Sequence, residues 1–285
     1  MPQSAEPATP DRAPMTSYPT FLAAAVLVIA AVLPVARADS GGRAASAPAA
    51  TNPHLMGDRY QQASGEVRAL QLQAYNVATH RLDQLLAAHH GSKPPAVVLD
   101  IDETVLDNSP YEAASVLDGF SFPKHWDQWV EAARAPLIPG ARAFLSHADA
   151  RGVAIFYVSN RSEQYEAATI ANLKRDGLPQ VSRESVRLKG PSKKHRRDAI
   201  SQHHDILLLV GDTLHDFDAE FAGTSLASQW ATVMRMRHSF GNRFIVLPNA
   251  SYGSWTKATL RAWQPPTQST RGAKTPKPAS ADASN

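Results

Sequence analysis

Acidic and polar side chains stand at the ends of three short apolar runs in this 285-residue sequence, VVLDI, AIFYVSN and ILLLVGD. The side chains at or just beyond these run ends are Asp100, Asp102, Ser159, Asn160, Asp212 and Asp216. Grouped carboxylates serve in proteins as nucleophiles, as proton donors and acceptors, or as ligands of hard cations. Because only one residue separates Asp100 from Asp102, two like charges lie at the end of one run, and other groups must compensate them.

The apolar runs indicate β-strands, and helical patterns alternate with them. We predict strands at 97–101, 154–160, 206–212 and 243–249, and helices at 65–88, 139–150, 162–175 and 191–203. Runs this apolar suit strands that are covered on both faces, and the alternation is typical of an α/β fold with a doubly wound, mostly parallel, Rossmann-like sheet. In such sheets ligands bind outside the carboxyl ends of the strands, which is where the polar side chains fall.

Four short motifs carry a resemblance to a known family. D-x-D-E-T at 100–104, a serine at 159, a lysine at 193 and G-D-x-x-x-D at 211–216 resemble the motifs of the haloacid dehalogenase superfamily of phosphotransferases. Longer segments resemble the secreted class C bacterial acid phosphatases, the lipoprotein-type branch that includes 5′-nucleotidases: VVLDIDETVLDNSPY, FPKHWDQWV, IFYVSNR, SKKHRRDAI, VGDTLHDF and LPNASYGSW. Each motif alone is a weak signal, but four in the right order, each at its predicted strand or helix end, are strong together.

The resemblance implies roles for the two aspartates of the first motif. Asp100 would attack phosphorus and form an aspartyl-phosphate. Asp102 would protonate the leaving oxygen and then activate the water that hydrolyses the intermediate. Since Asp102 lies close to Asp100, we expect its pKa to be raised, which favours activity below neutral pH.

The resemblance also implies a phosphate-binding set. Ser159, with Asn160 beside it, would hold phosphate oxygens, and Lys193 would neutralise the charge of the phosphate as a point charge. Lys194 is the alternative lysine. The spacing S-K-x-x-R-R favours Lys193, although the sequence alone does not exclude its neighbour.

Four aspartates and a phosphate dianion cannot share a cleft on the charge of one lysine. A divalent cation is therefore expected, and oxygen ligands with a phosphate in the coordination shell favour Mg²⁺. We expect ligation by the Asp100 carboxylate, the Asp102 carbonyl and Asp212. Asp216 would act behind these ligands or through a water molecule.

Aromatic residues are the candidates for substrate selection. The segment 107–139 is long for a loop and is expected to form a small helical cap over the site. Trp126 in this cap and Tyr252 in a later loop are candidate substrate-binding residues that would stack on a nucleobase. Trp129 and Trp255 are further candidates. For Trp126, Trp129 and Trp255 the alternative is packing in the core or the cap, since large aromatic residues are mostly buried.

The N-terminal segment predicts export, and the composition of both chain ends sets the limits of the folded domain. An apolar stretch followed by Ala-Arg-Ala indicates a signal peptide at 1–38, cleaved after Ala38, hence a periplasmic or secreted protein without a stable membrane anchor. Ala, Ser, Pro, Gly and Thr dominate 39–53 and 265–285, so we expect a flexible linker and a disordered tail around a phosphatase domain at 54–264. Translation could start at Met1 or Met15.

Composition excludes several other classes of protein. With no cysteine there are no disulfides, thiolate zinc sites, cysteine nucleophile or lipid-modified N-terminal cysteine. A net charge of +3, with basic residues in short local runs, argues against a nucleic-acid polymer as partner. The expected substrate is a small phosphate monoester. Two alternatives stay open: phosphotransfer to an alcohol, and a non-catalytic storage or binding protein on the same scaffold.

Overall fold

The structure is a computed structural model that describes residues 52–263. The predicted signal peptide with its cleavage after Ala38, nearly all of the predicted linker and the predicted tail lie outside these residues. No helix within 52–263 has both the length and the apolar character that a membrane crossing requires.

Strands and helices alternate along most of the described chain. The strands are β1 (Pro95–Leu99), β2 (Ala154–Ser162), β3 (Val186–Lys189), β4 (Asp205–Gly211) and β5 (Phe244–Val246). The helices are α1 (Leu55–Ala63), α2 (Gly65–Ala87), α3 (Ser109–Asp118), α4 (Trp126–Glu131), α5 (Ala141–Ala150), α6 (Glu166–Arg175), α7 (Lys193–Ser201) and α8 (Leu226–Arg235).

All five strands are parallel and follow the order β3-β2-β1-β4-β5. The central strand, β1, is buried: Ala96, Val97 and Leu99 have no exposed surface and Val98 has 4%. Burial on both faces explains why this run is apolar without alternation. The predicted α/β fold with a parallel sheet is confirmed, and the carboxyl ends of β1, β2 and β4 meet at one edge of the sheet.

Several elements differ from the sequence-based prediction. Strand β3 was not predicted because it has only four residues, and its inward and outward side chains alternate at the edge of the sheet. Helix α8 was not predicted either, and none of its residues is buried. Strand β1 ends at Leu99, two residues earlier than predicted, so Asp100 and Asp102 lie in the loop that follows.

Helix α2, which corresponds to the helix predicted at 65–88, contacts that loop. Ser64 caps the helix, since its hydroxyl accepts a hydrogen bond from Val67 N at 3.1 Å. Tyr75 in the middle of α2 is 1% exposed, and its hydroxyl donates to Thr104 O at 2.5 Å. A Cβ at Gly140 would lie 2.8 Å from the Tyr75 Cβ, so helix α5 approaches α2 through a residue without a side chain.

The segment predicted as a cap contains two short helices, α3 and α4. Asn108 lies just before α3, which carries Pro110 in its first turn and is followed by Gly119 with φ +69°. Helix α4 is one and a half turns long and begins at Trp126. The boundaries predicted for the cap and for the whole domain stay predictions.

Candidate active site

The loop after β1 is a tight turn that presents Asp100 and Asp102. Asp100 N donates to Val210 O on the neighbouring strand β4 at 2.9 Å, which continues the sheet pairing by one residue. Val105 N and Leu106 N both donate to Ile101 O at 2.8 Å, so the chain reverses direction between Ile101 and Leu106. The two carboxylates therefore lie at the carboxyl edge of the sheet, as predicted, and both side chains line the cavity above it.

Lys193 supplies a buried positive charge next to Asp100 and Asp216. Its Nζ lies 2.7 Å from Asp100 Oδ1 and 2.5 Å from Asp216 Oδ1, and its side chain is 6% exposed. The neighbouring Lys194 is 57% exposed and pairs with Asp198, one turn further along α7. Of the two candidate lysines, the structure thus brings Lys193 to the aspartates and leaves Lys194 at the surface.

Burial controls the protonation of these groups. It raises the pKa of Asp100 to about 7, although the nearby Lys193 acts in the opposite direction and the carboxylate of Asp216 adds to the rise. Burial alone would lower the pKa of Lys193, but Asp100 and Asp216 outweigh it, so its pKa is raised and the amine stays charged. One lysine does not fully compensate the carboxylates around it.

Asp216 is held by the 3₁₀ turn that follows β4. Thr213 donates to Asp216 Oδ2 from its backbone N at 2.9 Å and from its hydroxyl at 2.7 Å. A Cβ at Gly211 would lie 2.5 Å from the Asp216 Cβ, so this close approach requires glycine. Arg197 donates to Asp216 O at 2.8 Å. Both carboxylate oxygens of Asp216 are therefore engaged.

The carboxylates of Asp100, Asp212 and Asp216 could hold one metal ion. One oxygen from each lies within 4.8 Å of the others. Asp212 accepts hydrogen bonds from Asn249 Nδ2 at 2.8 Å and from the Thr104 hydroxyl at 3.4 Å. Burial and the carboxylates of Asp216 and Asp100 raise the pKa of Asp212 well above its ordinary value. An all-oxygen set with excess negative charge fits a hard divalent cation.

Asp102 has a different environment. Arg161 donates to its Oδ1 from Nη2 at 2.7 Å and from Nε at 2.9 Å, and Asn108 Nδ2 donates to the same oxygen at 2.8 Å. The Ser159 hydroxyl lies 3.2 Å from Asp102 Oδ2. Burial raises the pKa of Asp102, but Arg161 and Asn108 outweigh burial and lower it. The expectation that Asp100 would raise this pKa was wrong, because an arginine far along the chain compensates the charge.

Arg196 is a buried residue that the sequence analysis missed. Its Nη1 donates to Ser159 O, Arg187 O and Leu188 O at 2.6 to 2.8 Å, and its Nη2 donates to Asn160 Oδ1 at 2.9 Å. It therefore joins the ends of β2 and β3 to helix α7. The arginines of S-K-x-x-R-R were a usable signal, since Arg196 stands three residues after Lys193 and shares its helix face.

Glu103 is a second residue that the sequence analysis missed. It is 1% exposed with φ +53°, and it accepts hydrogen bonds from the Tyr252 hydroxyl and from Asn108 N. Burial and the carboxylates of Asp102 and Asp212 raise the pKa of Glu103 well above its ordinary value. Tyr252 is thus tied to the loop that carries the two aspartates.

The aromatic candidates fall into two groups. Trp126, Tyr252 and Trp255 line a cavity of about 1090 Å³ above the carboxylates. Trp126 packs edge-on against Tyr111 at 5.1 Å between ring centroids. Trp129 does not line this cavity, and its Nε1 donates to Asn108 Oδ1 at 2.8 Å. Trp129 therefore packs and orients Asn108, whereas the other three face the space in which a substrate would lie.

A parallel sheet whose carboxyl edge gathers aspartates, a serine and a buried lysine is the arrangement of a haloacid dehalogenase-type phosphotransferase. The family described as HAD superfamily, subfamily IIIB (acid phosphatase) matches residues 44–255. The chain belongs to this family and is an acid phosphatase.

Solved structures agree with this assignment. The class C acid phosphatase from Bacillus anthracis is 43% identical, with a TM-score of 0.70 over 72% of this chain and 87% of that one. The same enzyme with tungstate bound is 42% identical, with a TM-score of 0.69 over the same shares.

More distant plant relatives also match. The stem 28 kDa glycoprotein of Glycine max is 28% identical over 191 residues, which is 62% of this chain and 69% of that one. Acid phosphatase 1 of Solanum lycopersicum is 30% identical over 86 residues, or 28% of this chain and 32% of that one.

Proposed function

We propose that this protein is an exported, Mg²⁺-dependent acid phosphatase that hydrolyses small phosphate monoesters, nucleoside monophosphates among them, through an aspartyl-phosphate. The observation that carries the proposal is the placement of Asp100. Its carboxylate lies 2.7 Å from the buried Lys193 ammonium and borders the cavity, where a phosphate could meet both groups. A carboxylate nucleophile divides the hydrolysis of a very stable ester into two easier steps.

In the first step a carboxylate oxygen of Asp100 forms a bond to phosphorus while the bond from phosphorus to the ester oxygen breaks. The ester oxygen keeps the bonding electron pair and takes a proton from the protonated form of Asp102, which the lowered pKa of this carboxyl confines to acidic pH. In the second step Asp102 removes a proton from water as the water oxygen bonds to phosphorus. The bond between phosphorus and the Asp100 oxygen breaks, which regenerates the Asp100 carboxylate and releases inorganic phosphate, and Asp102 again carries its proton.

The chain's own groups stabilise the transferred phosphoryl charge. Lys193 supplies a fixed positive charge, and the Ser159 hydroxyl, 3.2 Å from Asp102 Oδ2, is the proposed donor to a phosphoryl oxygen. Mg²⁺, held by the Asp100 carboxylate, the Asp102 carbonyl and Asp212, would offset negative charge on the phosphoryl oxygens. Asp216 would act through water, since Lys193 and Thr213 already occupy its oxygens.

The class of substrate follows from the size and lining of the cavity. A volume of about 1090 Å³ exceeds what a phosphate alone requires, and its aromatic side chains suit a planar leaving group. Trp126 and Tyr252 are the proposed contacts for a nucleobase. Tungstate in the Bacillus anthracis relative supports a phosphate-sized oxyanion site in this protein, since both anions are tetrahedral.

Export rests on the sequence of the first 38 residues. An apolar stretch that is short for a membrane span, followed by Ala36-Arg37-Ala38, is the pattern of a cleaved signal peptide.

Activity below neutral pH remains part of the proposal. A raised pKa of Asp102 does not explain an acidic pH optimum, because Arg161 lowers the pKa of that carboxyl.

The test is a phosphomonoester panel on residues 39–285, with and without Mg²⁺, for wild type and Asp100→Asn. We expect Asp100→Asn to lose at least about 10⁴-fold in activity on every substrate, since it removes the nucleophile. Asp198→Asn is the matched control, because Asp198 is 57% exposed and pairs with Lys194 outside the cavity. We expect its activity to stay within about twofold of wild type, since surface ion pairs contribute little.

The panel also separates the alternatives. Phosphate release by Asp100→Asn at the wild-type rate would overturn the mechanism. Wild-type protein that releases no phosphate from any substrate would favour the storage or binding alternative. Adding glycerol tests phosphotransfer. If glycerol captures the phosphoryl group, the leaving alcohol of the substrate is released in excess of free phosphate.

A further inference from the structure

Arg161 is a buried cation of the cavity that the family motifs leave without a role. Its side chain is 2% exposed, and it follows the predicted phosphate-binding pair Ser159 and Asn160. We infer that Arg161 is a positioning residue that determines which oxygen of Asp102 faces the leaving group. It also connects that carboxylate to Trp126, which forms an aromatic wall together with Tyr111 and Phe122. The inference rests on the proton-transfer role proposed above for Asp102.

The two oxygens of Asp102 are bound unequally. Oδ1 accepts three hydrogen bonds of 2.7 to 2.9 Å, two from Arg161 and one from Asn108. Oδ2 accepts only two longer ones, both 3.2 Å, from Arg161 Nε and from the Ser159 hydroxyl. Shorter bonds are the stronger ones, and three donors saturate Oδ1. Oδ2 is therefore the oxygen with capacity to carry and transfer a proton.

The position of Arg161 is itself determined from several directions. Its backbone N donates to the Ser159 hydroxyl at 3.0 Å, and its Nη1 donates to the hydroxyl of the fully buried Thr169 on α6 at 3.3 Å. Its Nη2 reaches Asn108 Oδ1 at 3.4 Å, and Trp129 donates to that same oxygen. A planar guanidinium held at its ends transmits its orientation to the carboxylate that it contacts.

Arg161 also meets the wall on which a leaving group would lie. Its Cζ is 5.6 Å from the centroid of the Trp126 ring, within the range of a cation–π interaction. Trp126 lines the cavity and packs against Tyr111 and Phe122. The cap residue that contacts the leaving group is thus one side chain away from the proposed proton donor. Because Arg161 contacts both Trp126 and Asp102, it fixes the distance between a leaving group packed on Trp126 and the carboxyl group that protonates it.

A positioning role predicts a selective defect. When the ester bond breaks, a poor leaving group such as phenoxide requires the proton of Asp102, whereas 4-nitrophenoxide is stable without it. A misplaced Oδ2 should therefore slow phenyl phosphate more than 4-nitrophenyl phosphate. These esters differ by one ring substituent, so their contacts with the aromatic wall are closely matched.

The experiment measures kcat/KM for both esters with wild type, Arg161→Lys, Asp102→Asn and Arg196→Lys. Lysine keeps the charge but loses the planar fork, so we expect the phenyl to 4-nitrophenyl ratio to fall about tenfold in Arg161→Lys and about 100-fold in Asp102→Asn. Arg196→Lys is the matched control, since Arg196 is equally enclosed but contacts Asn160 and backbone carbonyls; its ratio should equal that of wild type. The ratio does not depend on the folded fraction of a preparation.

The outcomes separate the inference from the proposed function. Equal loss on both esters in Arg161→Lys, with a ratio shift in Asp102→Asn, would overturn the positioning role alone. An unchanged ratio in Asp102→Asn would remove the role proposed for Asp102, and the inference with it. A ratio shift in Asp102→Asn and Arg161→Lys, but not in Arg196→Lys, is the result that supports the inference.

Discussion

The two sides of the active site compensate negative charge in different ways. On the phosphate side Asp100, Asp212 and Asp216 gather around one buried lysine, and burial raises the pKa of Asp100 to about 7 and that of Asp212 well above its ordinary value. On the leaving-group side Asp102 has its own arginine, and its pKa is lowered. We therefore expect the phosphate side to take up a cation from solution, whereas Arg161 compensates the leaving-group side within the chain.

This difference suits the two tasks that we propose for the site. A site that must accept a phosphate dianion gains from positive charge supplied by a metal ion, because the same ion neutralises the carboxylates and the substrate. A site that must move one proton gains from a fixed geometry instead. The substitutions and treatments below act on one side at a time.

Removal of divalent cations should have the largest effect. After dialysis against EDTA we expect activity on 4-nitrophenyl phosphate to fall by at least about 10³-fold, since the phosphate side then carries uncompensated carboxylates. Added Mg²⁺ should restore it. Full activity after dialysis, with metal content verified by elemental analysis, would show that the phosphate side needs no cation.

Loss of the buried lysine should come next. We expect Lys193→Met to lower kcat/KM by about 10²- to 10³-fold on all substrates, because it removes the only buried lysine that contacts Asp100 and Asp216 in the described chain. Lys194→Met should stay near wild type, since Lys194 is a surface residue. Equal effects of the two substitutions would contradict the placement of the active-site lysine. Circular dichroism of both variants checks that they fold.

A smaller effect is expected on the leaving-group side. Trp126→Leu keeps an apolar residue but removes the ring that faces the cavity, so KM for a nucleoside monophosphate should rise about tenfold. KM for phenyl phosphate should change less, because a single small ring gains less from stacking. A rise of the same size for both substrates would argue against recognition of a nucleobase at Trp126.

The smallest effect is on stability. In metal-free protein, Asp212→Asn should raise the free energy of unfolding at pH 7 by about 1 kcal/mol, since burial and the carboxylates of Asp216 and Asp100 disfavour ionisation of the native Asp212 carboxyl. The native carboxyl keeps its proton to higher pH than the unfolded one, so wild-type stability falls as pH rises through that interval. The gain should therefore shrink toward pH 4. Urea unfolding at both pH values measures it, and a gain that grows toward pH 4 would contradict the raised pKa of Asp212.

Features that depend on neighbouring residues in the chain could be predicted from the sequence, whereas features that depend on contacts between distant residues could not. Asp100 and Asp212 could be placed because parallel strands end at one edge, and each aspartate follows an apolar run. Strand β3 and helix α8 gave no such signal, as one is four residues long and the other buries no side chain. The pKa of Asp102 could not be predicted, because it depends on Arg161, 59 residues away, and only the fold brings the two together.

The difference between the two sides is tested most directly by calorimetric titration of Mg²⁺ into metal-free wild type, Asp212→Asn and Asp102→Asn. We expect one binding site in wild type and in Asp102→Asn, whose backbone carbonyl is unchanged, and loss of that site in Asp212→Asn. Equal binding of Mg²⁺ by all three proteins, or loss of binding in Asp102→Asn alone, would contradict a metal-dependent phosphate side next to a leaving-group side that the chain completes by itself.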